Sequence, residues 1–236
     1  MCQQLCHLWP QQLGVGVSGG VEAAVHAARR LVVNLPHHHV VVKLDFWNNN
    51  VRRDLILDNI AAHTPAIYRL VHAAYSCEPI LAFSEHKILS EEGAQQGDPL
   101  GPLKFREAVH PLLTGLESYV KIGFMDDLTL SGDLHTVEKD VTANMDSAAE
   151  TGLHINQAKC EIIMDDFLLI STSPIFNQFI RVEKEDMMLL GAPVVAGRAQ
   201  DAAIQQKIEE LDTAMKRLSL LHAHDSLALL KTARQC

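Results

Sequence analysis

The sequence predicts an α+β domain in which helices pack on one face of a small, largely antiparallel sheet. Helix-like and strand-like segments interleave along the 236 residues without strict βα alternation. Hydrophobic residues make up 47% of the chain, which is enough for a packed core and argues against wholesale disorder. The individual elements are predicted from apolar periodicity and from the positions of glycine and proline.

Three helices and one buried strand are predicted in the first part of the chain. A helix is predicted over residues 21–33, where apolar residues recur every three or four positions. The apolar run from Val40 to Phe46 is typical of a buried strand. Two further helices, separated near Thr64-Pro65, are predicted over residues 51–75.

The middle of the chain contains a second strand-like segment with acidic residues at its centre. A hairpin is predicted from Ile80 to Leu89, and a glycine/proline loop from Gly93 to Pro102 leads into a helix. Residues Val120 to Leu130 then have a strand pattern that Asp126 and Asp127 interrupt.

Two short strands with a helix on either side are predicted in the last part of the chain. A helix over residues 136–150 is followed by Gly152 as its C-cap. Strands are predicted over residues 160–164 and 187–195. An amphipathic helix is then predicted from apolar residues spaced three or four apart: Ile204, Ile208, Leu211, Met215, Leu218 and Leu221.

The composition argues against several classes of protein. The net charge of −9 disfavours a basic protein that coats nucleic acid, but allows an enzyme that holds cations in an acidic cleft. No apolar run reaches the roughly 18–20 residues that span a bilayer, so no membrane partner is predicted. The five cysteines are scattered without zinc-site spacing, which favours reduced thiols and an intracellular protein.

Three carboxylates stand apart from the residues that build the core. Asp45 ends one apolar strand, whereas Asp126 and Asp127 interrupt another. Buried carboxylates need a partner, because an unpaired charge in the core is costly. If the two strands are neighbours, the acids meet at one edge of the sheet and their repulsion favours divalent cations. Two Mg²⁺ ions about 3.5–4 Å apart can activate a 3′-hydroxyl and stabilise a leaving pyrophosphate.

These segments, in their order along the chain, resemble the motifs of reverse transcriptases. The residues within the motifs resemble those of non-LTR (LINE-like) retrotransposons. The resemblance spans residues 14–233, and the ten-residue motif B together with Phe-x-Asp-Asp is its most specific part. The segments are 42–46 with 51–54 for motif A, 93–102 for motif B, 124–127 for motif C, 151–161 for motif D and 189–193 for motif E.

This resemblance implies a right-hand polymerase with its palm at the centre. Residues 1–40 would form partial fingers, residues 41–196 the palm, and residues 197–236 the start of a truncated thumb. The implied activity is that of an RNA-directed DNA polymerase, which transfers nucleotides to a DNA 3′-end with two metal ions. Its partners would be an RNA template, a DNA primer and dNTPs. The retrotransposon context implies action in the nucleus, with the cytoplasm as the alternative.

The resemblance also assigns roles to individual residues. Asp45, Asp126 and Asp127 would hold two Mg²⁺ ions, with Mn²⁺ as the alternative, and Lys159 would stabilise charge or donate a proton at the triphosphate. The remaining residues would contact nucleic acid, namely Phe46, Gln95, Gln96 and Gly97 at the nucleotide and template, and Leu190 and Gly191 in the primer grip.

The sequence departs from the family in motif A and in its extent. Five residues separate Asp45 from Val51, where relatives have about seven. The aromatic residue that packs under the incoming sugar in the relatives is therefore missing from its usual place. Phe46 or Trp47 is the candidate to replace it. The upstream fingers motifs are absent, and the thumb stops after its first helices. These features favour, as the alternative, a catalytically inactive and truncated retroelement relic.

A second alternative is a dinucleotide-binding module, because Gly14 to Gly19 fits the G-x-G-x-x-G pattern ahead of a helix. That fingerprint requires a strand immediately before its first glycine. Residues 7–13 contain a proline and two glutamines and make a poor strand. A P-loop is excluded, since Gly20 and Val21 follow Gly19 in place of Lys and Ser or Thr.

Overall fold

A five-stranded sheet forms the centre of the computed structural model. The model describes residues 8, 10–47, 51–77, 80–83, 85–90, 93–95, 97–165 and 173–233. The strands of the sheet, in their spatial order, are β5 (Val120–Phe124), β6 (Asp127–Asp133), β1 (His39–Leu44), β8 (Glu161–Ile163) and β9 (Ile180–Arg181).

Strand β1 lies in the middle of this sheet and is almost completely buried. It pairs antiparallel with both β6 and β8, whereas β9 runs parallel to β8 and makes the sheet mixed. Val40, Val41 and Val42 are each 0% exposed, because both faces of the strand are covered. The predicted α+β class is therefore confirmed, but the helices are not confined to one face as predicted, because the helix over residues 20–33 covers the other face.

One face of the sheet is covered by the helices that follow β1 in the chain. Val42, Leu44 and Leu130 project from this face into the main hydrophobic core. The helices on this side are α2 (Arg53–His63), α3 (Pro65–Tyr75), α4 (Gly101–Val109), α5 (Pro111–Thr114) and α6 (Leu134–Thr151). Pro65 begins α3 as its first residue, so the predicted break between two helices is confirmed.

The opposite face carries α1 (Gly20–Val33) and a small hairpin. Val41 and Ile163 pack there against Val32 of α1 and Leu189 of the hairpin. The hairpin consists of β10 (Met188–Leu189) and β11 (Ala192–Pro193). This face also carries the charged residues described below, so a polar site adjoins a second apolar cluster.

The remaining strands form two-stranded ribbons. Strand β2 (Phe46–Trp47) pairs with β7 (His154–Ile155), and β3 (Ile80–Phe83) pairs with β4 (His86–Leu89). The second ribbon confirms the hairpin predicted at residues 80–89.

Two helices, α7 (Arg198–Leu218) and α8 (Ala223–Ala233), end the described part of the chain. The predicted apolar stripe of α7 is present, but it lies at the surface, with Ile204 51% and Leu211 63% exposed. Across the described residues, no helix combines the length and apolarity needed to cross a membrane.

The strand predicted over residues 120–130 is in fact a tight hairpin. Phe124 pairs with Asp127, which leaves only Met125 and Asp126 as the connecting residues. The acid pair therefore marks a reversal of the chain and not an interruption of one strand. Asp126 and Asp127 accordingly reach solvent at the edge of the sheet.

Candidate active site

The register of the central strands brings Asp45 and Asp127 together. Leu44 of β1 pairs with Leu128 of β6, so continuation of this register places Asp45 opposite Asp127, just beyond the last pair. Residues that face each other in this way have Cβ atoms about 4.5–5.5 Å apart. Their side chains lie on the face of the sheet that also carries Lys43 and Thr129.

Asp126 lies beside this pair in the two-residue turn between β5 and β6. Met125 has φ 58°, an uncommon value for a residue other than glycine and the one that the first position of a type II′ turn requires. The turn therefore carries backbone strain at the acid pair. Asp126 lines a pocket of about 170 Å³ together with Met125 of the same turn. The other walls come from α2 and the residue before Arg52, and from α4 and the loop before it: Val51, Ile56, Ala94, Gly101, Pro102 and Phe105.

The segment before α1 supports this strained turn from the outer side. Leu13 N–H donates to the Gly123 carbonyl at 2.9 Å, and Gly123 N–H donates to the Gln11 carbonyl at 2.7 Å. A Cβ atom at Gly14 would lie 2.9 Å from the Met125 nitrogen, so only glycine fits there without a shift. The Arg106 guanidinium of α4 donates to the Val15 carbonyl and ties the same segment to the helix.

Gly14, the first glycine of the G-x-G-x-x-G pattern, has a packing role, because it abuts Met125. Gly20, which follows the pattern, is also closely packed, since a Cβ atom there would lie 2.2 Å from the Leu13 carbonyl oxygen. The backbone at Gly14 is therefore in contact with the protein itself and is not open to a pyrophosphate. This packing disfavours the dinucleotide-binding alternative.

An ion pair lies next to the three aspartates. The Lys43 ammonium is 2.6 Å from Glu161 Oε2, across the β1–β8 pair. The pKa of Asp127 is raised by desolvation first, then by the negative charges of Asp126, Asp45 and Glu161, while Lys43 acts in the opposite direction. The site thus concentrates negative charge that a bound cation would stabilise.

Asp45 is held from behind by the turn that follows β7. The side-chain amide of Asn156 donates to Asp45 Oδ2 at 3.2 Å, and Asn156 N–H donates to the Asp45 carbonyl at 2.8 Å. Asp45 N–H approaches Cys160 Sγ at 3.4 Å. Burial raises the pKa of the Cys160 thiol to about 11, so the group stays neutral beside the carboxylate.

The donor set fits a hard divalent cation. Carboxylate oxygens are the ligands that Mg²⁺ prefers, and this ion takes the rest of its shell from water and substrate phosphates. Among the described residues, no group of three Asp, Glu, His or Cys side chains is close enough to hold an ion by itself. The strand register places the carboxylates of Asp45 and Asp127 opposite each other, and the Asp126 carboxylate lies on the adjoining turn.

A hydrogen-bonded network shapes the loop before α4. The Tyr75 hydroxyl donates to Asp98 Oδ2 at 2.5 Å and accepts from the backbone N–H of Gln95 at 3.0 Å. Lys104, which is 1% exposed, pairs with the same carboxylate. Desolvation would raise the pKa of Asp98, but its hydrogen bonds with Lys104, Tyr75 and the Leu100 N–H lower it overall.

This network places two of the predicted nucleotide contacts at the surface of the loop. Gln95 is half-buried, and Gly97 is exposed with φ +88°, a conformation that favours glycine. No atom lies within 4 Å of the Cβ position of Gly97, so the backbone is open to a ligand there. Gln96 lies outside the described residues.

The other predicted contacts have different surroundings. Phe46 is 8% exposed, because it pairs with Ile155 and its ring belongs to the core, which argues against a direct nucleotide contact. Lys159 is exposed, and its backbone N–H donates to the Asn156 carbonyl at 2.9 Å. Leu190 and Gly191 form the two-residue turn of the β10–β11 hairpin, with φ 50° and 77°. Leu190 and Phe124, at the end of β5, both pack against the small cluster of Leu13, Ala24 and Ile122.

A mixed sheet packed against helices, with two aspartates at the ends of neighbouring central strands, is consistent with the palm of a polymerase. The sequence matches the family described as reverse transcriptase (RNA-dependent DNA polymerase) over residues 3–194. The chain therefore belongs to the reverse transcriptase family. This membership confirms the family predicted from motifs A to E, while the non-LTR subtype stays a prediction.

Solved structures of telomerase from Candida tropicalis are similar in fold. Apo telomerase shares 12% identity over 65% of this chain and 33% of its own, with a TM-score of 0.50. A form truncated of its C-terminal domain has 13% identity, coverages of 66% and 38%, and a TM-score of 0.49. A complex with the TWJ fragment of telomeric RNA has 11% identity, coverages of 65% and 30%, and a TM-score of 0.48.

The comparison with these structures concerns the fold alone. The chain spans about a third of the length of the telomerase chains that it matches. No curated protein matches the sequence significantly.

Asn156 and the Lys43–Glu161 pair were not predicted from the sequence. Asn156 is three residues before Lys159 within the predicted motif D, but only the pairing of β2 with β7 shows that it faces Asp45. The spacing of two residues between Lys43 and Asp45 is the signal in the sequence that they share a face of the strand.

Proposed function

We propose that this chain is the palm of an RNA-directed DNA polymerase that adds deoxynucleotides to a DNA 3′-end, of the non-LTR retrotransposon type. The observation that carries the proposal is the pairing of Asp45 with Asp127 beside the Asp126 turn. The pocket bounded by Asp126, Ala94 and Phe105 supports it, because it adjoins the acids and has room for part of a nucleotide.

In this proposal the acids hold two Mg²⁺ ions, or Mn²⁺ in their place. When bound, these ions would supply an activated 3′-hydroxyl and charge stabilisation at the leaving pyrophosphate. Asp45 and Asp127 contribute carboxylate oxygens from neighbouring strands, and Asp126 contributes one from the turn. The protein residues hold these oxygens in fixed positions, because phosphoryl transfer depends mainly on positioning and charge.

The remaining roles follow the position of each residue. Gln95 and Gly97 lie on the loop beside the pocket and are proposed to face the nucleotide and template. Lys159, exposed on the turn next to Asp45, is proposed to stabilise the triphosphate. Leu190 and Gly191, at the tip of the β10–β11 hairpin, are proposed to contact the primer strand.

The division into fingers, palm and thumb and the site of action are also proposals. Residues 1–40, 41–196 and 197–236 are the proposed units. The nucleus is the proposed compartment, and the cytoplasm is the alternative.

Primer extension on a homopolymer RNA–DNA hybrid with Mg²⁺ tests the activity. We expect nucleotide incorporation by the purified chain, abolished in Asp126→Asn. Asp146→Asn is the matched control, because Asp146 is an exposed carboxylate on α6 and its loss removes the same charge. Equal incorporation by Asp126→Asn and the unchanged chain would refute the proposed role of the acids.

A catalytically inactive relic is the second candidate. The shortened connection after Asp45 favours it, because residues 46–50 are all that separates the acid from Val51. Folded protein that incorporates no nucleotide with either Mg²⁺ or Mn²⁺, and binds neither ion, would establish this candidate.

A further inference from the structure

Asn156 makes two hydrogen bonds to the same residue, the proposed metal ligand Asp45. We propose that Asn156 is a positioning residue, which orients the Asp45 carboxylate and fixes the turn that carries Lys159. This inference rests on the proposed function, because it assigns Asn156 to the support of the same metal site.

Strand pairing places Asn156 directly behind Asp45. Phe46 of β2 pairs with Ile155 of β7, so Asp45 and Asn156 are the next pair in that ladder. The backbone bond from Asn156 N–H to the Asp45 carbonyl, at 2.8 Å, fixes the main chain of the acid. The side-chain bond to Oδ2, at 3.2 Å, then fixes the rotation of its carboxylate.

The hydrogen bond to one carboxylate oxygen leaves the other oxygen, Oδ1, for a cation. An amide suits this position because it donates a hydrogen bond and carries no charge of its own. Asn156 is only 8% exposed, so water has little access to take over the bond if the side chain is removed. The structure thus uses a buried donor to orient a ligand, as outer partners of metal ligands do in other proteins.

Asn156 also begins the turn that presents Lys159. The Asn156 carbonyl accepts from Lys159 N–H at 2.9 Å and from Cys160 N–H at 3.0 Å. Cys160 in turn faces the Asp45 N–H through its sulfur. One residue therefore links the carboxylate of the metal site to the lysine proposed to stabilise the triphosphate.

Binding of Mn²⁺ to the chain without nucleic acid, followed by EPR, tests this inference independently of polymerase activity. We expect Asn156→Ala to bind Mn²⁺ about 10–100-fold more weakly than the unchanged chain, the usual cost of losing such a partner. Gln157→Ala is the matched control, because Gln157 is the neighbouring amide and its side chain points to Met145 Sδ at 3.5 Å. We expect this control to bind Mn²⁺ with unchanged affinity.

A second variant and a second measurement distinguish weaker metal binding from a loss of folded protein. Asn156→Ser keeps a hydroxyl donor at the buried position, and we expect its Mn²⁺ affinity to lie between those of the unchanged chain and Asn156→Ala. In primer extension, the Mg²⁺ concentration for half-maximal rate should rise in both variants. A smaller fraction of folded enzyme would lower the rate without moving that concentration.

The outcomes separate this inference from the proposed function. If the unchanged chain binds Mn²⁺ and both Asn156 variants bind it equally well, the role of Asn156 is overturned and the metal site stands. If the unchanged chain binds no Mn²⁺, the proposed function fails and the inference fails with it.

Discussion

The two segments that carry the acids are held in place by different means. Asp45 follows a central strand and is fixed by hydrogen bonds from Asn156, on the neighbouring ribbon. Asp126 lies on the two-residue turn and Asp127 directly follows it, and the turn has a positive φ at Met125. Backbone hydrogen bonds at Gly123 and the packing of Gly14 support that turn. On one side of the site the acid itself is therefore hydrogen-bonded, whereas on the other side the backbone that carries the acids is packed in a strained conformation.

This difference indicates where each side is vulnerable. A hydrogen-bonded acid loses its orientation when a donor is removed, whereas a packed turn is displaced when an atom is added. The turn also collects negative charge, since the pKa of Asp127 is raised by desolvation and by its acidic neighbours. A bound cation would relieve that repulsion, so the strained side should depend on metal for its stability.

The largest expected effect comes from removing an acid on either side. Asp45→Asn and Asp127→Asn should each lower the single-turnover rate of nucleotide addition by roughly 10²–10³-fold or more, because each removes charge at the reacting phosphate. Rapid-quench primer extension at saturating dNTP measures this. Losing activity in only one of the two variants would show that the acids do not act together.

Adding a methyl group to the packed side should have the next largest effect. Gly14→Ala would place a Cβ atom 2.9 Å from the Met125 nitrogen, and such overpacking typically costs about 1–3 kcal/mol. We expect a lower Tm together with a lower rate, since the displaced turn carries two acids. Thermal unfolding and primer extension measure both.

Gly115→Ala is the matched control for Gly14→Ala. Gly115 ends α5, and no atom lies within 4 Å of its Cβ position. We expect its Tm to change little. A Gly14→Ala protein that matches this control would show that the N-terminal segment does not support the turn.

Removing the Tyr75 hydroxyl tests whether the loop before α4, like Asp45, is held in place by hydrogen bonds. Tyr75→Phe deletes the bridge between Asp98 and the Gln95 N–H, and unpaired polar groups of this kind cost about 1–3 kcal/mol. Because the loop beside the pocket would loosen, KM for dNTP should rise more than kcat falls. Steady-state kinetics with varied dNTP measure this, and an unchanged KM would contradict it.

The local elements were predictable because each has a local cause. The helix predicted over residues 21–33 is Gly20–Val33, and the one over 136–150 is Leu134–Thr151, with Gly152 as its left-handed C-cap at φ 84°. Periodicity and capping residues lie within the segments they describe. The 120–130 hairpin was misread, because an apolar strand pattern does not reveal a tight turn formed without glycine.

The supports of the site were not predictable in the same way. The contacts of Asn156 with Asp45, of Lys43 with Glu161 and of Gly14 with Met125 join residues roughly 110 to 120 positions apart. Such contacts depend on strand order and register, which no local pattern contains. The family motifs located the acids, but the residues that position them are visible only in the folded chain.

The smallest expected effect concerns the stability of the charged turn. Because the folded-state pKa of Asp127 is raised above its unfolded value, the folded chain binds this proton more tightly, and stability falls as pH rises through the folded pKa. Asp127→Asn removes this penalty, so without metal the variant should have the higher Tm at neutral pH. The advantage should shrink as pH falls through the raised folded-state pKa toward the ordinary carboxyl range. We expect the difference in unfolding free energy between the two proteins to be less than about 1 kcal/mol, since solvent screens part of the side chain.

Thermal unfolding from pH 4 to 8 measures this difference, with Asp146→Asn as the control for net charge. Addition of Mg²⁺ should reverse the order of the two proteins, whereas an advantage that grows on acidification would contradict the assigned direction.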